Sequence, residues 1–136
     1  GAYYLQTQTF NTIAFFFGTT IGLLSVGVLN LNNMRDIVND KNSKKNTLVV
    51  YLGSQKAKYY HYILMLLGAL FLFLGIEEKL VNQKPLYLLI LFPILFHLYQ
   101  VIKIREPIDF DPLLKQLVLL IFFLSLALFV FFYGFK

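Results

Sequence analysis

Four long runs of apolar residues, separated by shorter charged connectors, set the pattern of this chain. They cover roughly 11–31, 59–76, 85–102 and 113–133, and none contains Asp, Glu or Arg. A bilayer core of about 30 Å is crossed by about 20 helical residues, so each run is long enough to span. The pattern predicts an all-α, polytopic membrane helix bundle with four transmembrane helices and a motif-bearing loop at 32–58. Lys115, near the start of the fourth run, can snorkel to the interface. Smaller features read as packing. Gly18 and Gly22 form a small-xxx-small pair suited to close helix approach, with Gly27 on a different face. Pro93 falls inside the third run, where membrane helices tolerate it. Pro107 and Pro112 bracket a turn, Asp109 reads as a turn residue and Asp111 as a cap for the last helix. Tyr3, Tyr4, Tyr59, Tyr60 and Tyr62 sit near span ends, as an aromatic belt would, and His61 is expected there too. His97 and Gln100 read as hydrogen-bonded packing groups.

Composition sharpens this picture. Charged residues make up 14% of the chain, against about 25% in soluble domains, and mean hydropathy is +0.68. A soluble globular domain and a disordered chain are both excluded as defaults. No cysteine is present, which excludes disulfides, Cys-ligated zinc, iron–sulfur clusters and thiol catalysis. The net charge is +5, and connectors one and three, with Lys115, hold nine of the twelve basic residues. The positive-inside rule then puts those connectors in the cytoplasm and both ends of the chain outside. Lysines between Lys41 and Lys58 can touch anionic membrane lipid. Nucleic acid is not an expected partner, because no recognition module accompanies the basic residues. The chain opens on Gly1 and its first basic side chain is Arg35. No secretory signal fits that start, and a piece of a longer protein is expected.

One segment is unlike a generic connector: LNNMRDIVND at Leu31–Asp40. Asn32, Asp36 and Asp40 are spaced i, i+4, i+8, so a helix continuing past Leu31 would line them along one face, beside Arg35. Two carboxylates one turn apart repel each other, and a divalent cation between them reverses that cost. The donors are hard oxygens, which suit Mg²⁺ or Mn²⁺ rather than zinc or copper. Two carboxylates leave most of an octahedron to water and substrate phosphate. Lys41, Lys44 and Lys45 follow at once. Acids for a metal, then lysines for phosphate, read together as a diphosphate site. The competing reading is a bare DxxxD that merely decorates a helix end. No Gly-rich phosphate loop, HExxH or serine elbow is present.

Three stretches resemble the UbiA-type membrane prenyltransferases: GAYYLQT at Gly1–Thr7, VLNLNNMRDIVNDKNSKKNTLVVYLG at Val28–Gly53, and FDPLLKQ at Phe110–Gln116. The middle stretch is the most specific and is similar to the family's second aspartate-rich motif. The resemblance implies the C-terminal part of a nine-helix bundle, lacking the helices that carry the first such motif. It implies that Asp36, Asp40 and Asn32 hold the metal, with Arg35 in the catalytic group. Lys41, Lys45, Asn33 and Thr47 are implied around the diphosphate. Tyr4 and Gln6 are implied near the aromatic acceptor. Lys44 stands where the family usually has Gly, and Tyr51 where it often has a basic residue.

The implied reaction transfers a polyprenyl group from polyprenyl diphosphate to an aromatic ring, with loss of carboxylate as CO₂ in the menaquinone branch. The double Asn before Arg35 favours 1,4-dihydroxy-2-naphthoate as acceptor over 4-hydroxybenzoate. A multi-pass place in the bacterial inner membrane, with the motif facing the cytoplasm, follows from the same likeness. The isolated piece is expected to be inactive without the missing N-terminal helices. The rival of another class is a membrane scaffold or transporter fragment, in which Asp36 and Asp40 only finish a helix.

Overall fold

A computed structural model describes residues 1–79 and 85–133. Seven α-helices account for nearly all of them: α1 Ala2–Thr7, α2 Thr12–Arg35, α3 Ile37–Asn42, α4 Leu48–Leu52, α5 Ser54–Lys79, α6 Pro85–Lys103 and α7 Phe110–Tyr133. A single 3-10 turn, Pro107–Asp109, precedes α7. No strand occurs among the described residues.

Three segments, Thr12–Arg35, Ser54–Glu77 and Pro107–Val130, are long and apolar enough to cross a membrane, and Leu91–Lys103 of α6 is a shorter apolar helix. The molecule is a polytopic helical membrane bundle. The helices overrun the apolar runs, chiefly at the motif end: α2 to Arg35, α5 back to Ser54, α7 back to Phe110. Hydropathy marks the thickness of the apolar slab, whereas a helix continues as long as its backbone bonds are made. For the same reason 32–58 is a chain of short helices rather than a loop. Asn11 caps α2 by accepting from Ala14 N–H at 2.8 Å.

The buried residues of α2 are Phe17, Thr20, Leu24, Gly27, Leu31 and Met34, with Asn30 beside them. Their alternating 3–4 spacing makes the seam typical of left-handed helix packing. That seam packs on α5 and α7, and α6 closes against α5 and α7. Leu24, Met65, Leu72, Ile94 and Leu117 are the heart of the core. Large apolar side chains such as Leu29, Ile63 and Phe122 remain more than half exposed, as lipid-facing residues of a bundle do.

The glycines that permit close approach differ from the expected pair. A Cβ on Gly18 or Gly22 would meet nothing within 4 Å. On Gly75 it would lie 2.7 Å and 2.9 Å from ring carbons of Phe17, and on Gly27 it would collide with Met65 Cε. The small-residue spacing marks a face that can be approached, but only tertiary packing decides which face is used.

Candidate functional site

The aspartate motif forms where α2 ends. Asp36 is the single turn residue between α2 and α3, with φ −92° and ψ 6°. The helical ladder still passes through it, since Asp36 N–H donates to Asn32 C=O at 3.0 Å and Asp40 N–H to Asp36 C=O at 2.9 Å. Asn32, Asp36 and Asp40 therefore follow one another turn by turn.

Arg35 organises the centre. Its Nε donates to Asp36 Oδ1 and its Nη2 to Asp36 Oδ2, both at 2.9 Å. Nη2 also donates to Asn32 Oδ1 at 2.9 Å, and Nη1 reaches Asp111 Oδ1 at 3.0 Å. Lys115 Nζ holds the other oxygen of Asp111 at 2.7 Å. Such a two-pronged guanidinium–carboxylate pair is the strong, planar form of an ion pair. It holds the Asp36 carboxyl below the usual carboxylate range, with a smaller contribution from the charge of Lys45.

Asp40 is different. Its side chain is 8% exposed, and its ion-pair partner among the described residues is Lys45, with Nζ 3.3 Å away and 67% exposed. A buried carboxylate held by one largely solvated ammonium is poorly compensated. The loop that brings Lys45 back is closed by Lys45 N–H donating to Asp40 C=O at 2.9 Å. Lys44 takes a left-handed conformation there, φ +54°, which favours glycine.

The remaining expected residues divide. Lys41 is exposed and Asn33 half-buried, both beside the acidic face. Thr47 uses one lone pair of its hydroxyl to cap α4, accepting from Val50 N–H at 3.2 Å, and keeps its O–H for a ligand. Tyr4 and Gln6 are not brought here. They lie exposed on α1 before the far end of α2, a helix about 36 Å long at 1.5 Å per residue.

Asp111 is the contribution that sequence reasoning misplaced. The helix already starts at Phe110, so Asp111 is not its cap and turns instead to Arg35, 76 positions earlier. The i, i+4 pair Asp111–Lys115 inside FDPLLKQ was a visible signal, but the cross-helix partner was not. His61, expected at the interface, is fully buried, its Nε2 3.1 Å from His97 Nε2, while His97 Nδ1 lies 3.5 Å from Gln116 Oε1. The packing role read for His97 agrees with that contact.

No cluster of three or more His, Cys, Asp and Glu side chains suited to a metal occurs among the described residues. The donors at hand are two carboxylates and one amide, all oxygen. They fit a hard divalent cation that takes its other ligands from water and a phosphate-bearing substrate. The under-compensated Asp40 is what such a cation would relieve. Asp36 would have to exchange at least one prong of Arg35.

Comparison with known proteins places the chain. The model of the UbiA prenyltransferase family matches residues 1–126. A 1,4-dihydroxy-2-naphthoate octaprenyltransferase of Haemophilus influenzae is 35% identical over 118 residues, covering 86% of this chain and 38% of that protein. The Escherichia coli protein of the same name is 46% identical over 66 residues, covering 48% and 21%. A UbiA prenyltransferase domain-containing protein 1 of Dictyostelium discoideum is 30% identical over 119 residues, covering 85% and 35%. The chain thus spans little more than a third, at most, of the relatives it matches. No solved structure matches it.

Proposed function

The chain belongs to the UbiA prenyltransferase family, and from that premise we propose that the protein carrying it transfers a polyprenyl group from polyprenyl diphosphate to 1,4-dihydroxy-2-naphthoate. The observation that carries the reading is the helical passage from Asn32 through Asp36 to Asp40, with Lys45 folded back on the buried Asp40. The names of the bacterial relatives support the acceptor and the polyprenyl donor.

In this proposal Asp36, Asp40 and Asn32 supply oxygen ligands to Mg²⁺, for which Mn²⁺ could substitute. The bound cation would neutralise the charge growing on the departing diphosphate. Lys45 and Lys41 would hold its peripheral oxygens, and the Asn33 amide and Thr47 hydroxyl would donate to others. Arg35 keeps the Asp36 carboxyl deprotonated, and hence a pure acceptor, throughout the neutral range. As the carbon–oxygen bond of the allylic ester breaks, the electron-rich naphthoate ring attacks the cationic prenyl carbon, and the ring carboxylate leaves as CO₂. Apolar bundle walls would keep water from quenching that cation. The site would face the cytoplasm, by the charge of its connectors, and the product would feed menaquinone synthesis.

The test is prenyl transfer by the complete protein with both 1,4-dihydroxy-2-naphthoate and 4-hydroxybenzoate offered, with Mg²⁺ and with chelator. We expect naphthoate product alone, abolished by chelation and by Asp36→Ala. Near-normal turnover in Asp36→Ala would remove the aspartate from the chemistry, and a benzoate product would reassign the acceptor.

A further inference from the structure

A second site lies on the other side of α2. A cavity of about 470 Å³ opens between the start of α5, the end of α6 and the turn before α7. Met34 is the α2 residue that lines it. At about 100° of helical turn per residue, Met34 is two positions from each of Asn32 and Asp36 and points roughly 160° away from both. The cavity is therefore separate from the aspartate face, although it sits at the same end of the bundle.

Its chemistry is that of an anion receptor with an apolar floor. Lys58 and Arg105 line it and no carboxylate does. Neither cation forms an ion pair among the described residues. Lys58 is half-buried, gives one of its three N–H bonds to the Ile104 carbonyl and lies 5.8 Å from the Phe110 ring centre, so its ammonium is positioned with donors to spare. Arg105 is exposed at the rim. The first turn of the 26-residue α5, with no acidic residue in it, ends in the cavity wall at Ser54 and Gln55. Its free N–H groups add partial positive charge. The rest of the lining is Tyr59, Tyr62, Ile102 and Phe110 beside Met34. Aromatic residues of this kind sit at headgroup level in a membrane.

We propose that this cavity binds the anionic phosphate of an amphiphile, the headgroup of an anionic membrane lipid. Two cations and a helix start would hold the phosphate oxygens, and the aromatic and aliphatic floor would take the first carbons beyond it. A zwitterionic headgroup is disfavoured, because its quaternary ammonium would meet Lys58 and Arg105. The carboxylate-rich motif across α2 plays no part, so the proposal stands apart from the transfer reaction.

The experiment titrates the complete detergent-solubilised protein with phosphatidylglycerol, phosphatidylcholine or inorganic phosphate, following bound lipid by native mass spectrometry and the thermal unfolding midpoint. Phosphatidylglycerol is expected to bind and raise the midpoint, and Arg105→Gln to weaken it about tenfold, the worth of one charge-assisted hydrogen bond. Lys56→Gln, at an exposed lysine two positions before Lys58 that does not line the cavity, is expected to leave binding unchanged. Lys58→Gln should weaken binding too, but it also removes the Ile104 tether, so Arg105→Gln carries the decision. Inorganic phosphate binding with the same Arg105 dependence would support the phosphate site and assign it a soluble source. Equal binding of phosphatidylcholine, or equal loss in Arg105→Gln and Lys56→Gln, would overturn it.

Discussion

Asp40 offers the sharpest separation of a catalytic from a structural role. Its side chain is 8% exposed and its ion-pair partner is a lysine 67% exposed. Asp40→Asn keeps the shape and removes the charge. The ion pair lost is of the largely solvated kind, worth about 0–1 kcal/mol. Against that stands the penalty for holding a carboxylate out of water, on the order of several kcal/mol before partial relief by water and neighbours. The balance predicts an unfolding midpoint at or above that of the parent protein. Transfer activity should move the opposite way. Removing one group that stabilises developing charge costs about 10²–10³ in rate. The assay pairs thermal unfolding of the purified protein with initial rates of prenyl transfer at saturating Mg²⁺. A variant that unfolds several degrees earlier while keeping most of its activity would refute the reasoning, because Asp40 would then be an anchor for the α3–α4 turn and nothing more.

Other outcomes follow from the same geometry. Lys44→Gly should stabilise the protein by about 0.5–1 kcal/mol, because the left-handed conformation strains any side chain; a lower midpoint in thermal unfolding would count against that. Gly75→Ala should destabilise by about 1–3 kcal/mol through collision with the Phe17 ring, while Gly18→Ala should be near neutral; equal midpoints for the two would contradict the packing. The Arg35 pairing lowers the Asp36 pKa, so its stabilisation is complete above the unfolded value near 4 and is lost as pH falls through the lower folded value. Asp36→Asn should therefore flatten the acid limb of the stability profile, and an unchanged limb would argue against the pairing.

Much of the bundle could be read from the chain because a span imposes a length and a purity that survive in one dimension. The i, i+4, i+8 spacing of Asn32, Asp36 and Asp40 was legible for a similar reason, since it needs only a continuing helix. What could not be read was anything set by contact between helices. Asp111 looked like a cap because its nearest neighbours in sequence are a turn, whereas its partner Arg35 comes from α2. His61 followed a basic stretch and so looked interfacial, yet α6 brings His97 onto it. Gly18 and Gly22 had the spacing for close packing, but the crowding falls at Gly27 and Gly75. Lys44 is out of place by resemblance, and its positive φ gives the physical reason.

Arg35 has one further consequence. Its guanidinium grips Asp36 at the end of the first long helix and Asp111 at the start of the last. Whatever draws Asp36 out of that grip releases Nε and Nη2 and leaves Nη1 on Asp111, still tied to α7. One side chain thus serves as a shared hinge pin for two helices far apart in the chain, with separate nitrogens for each.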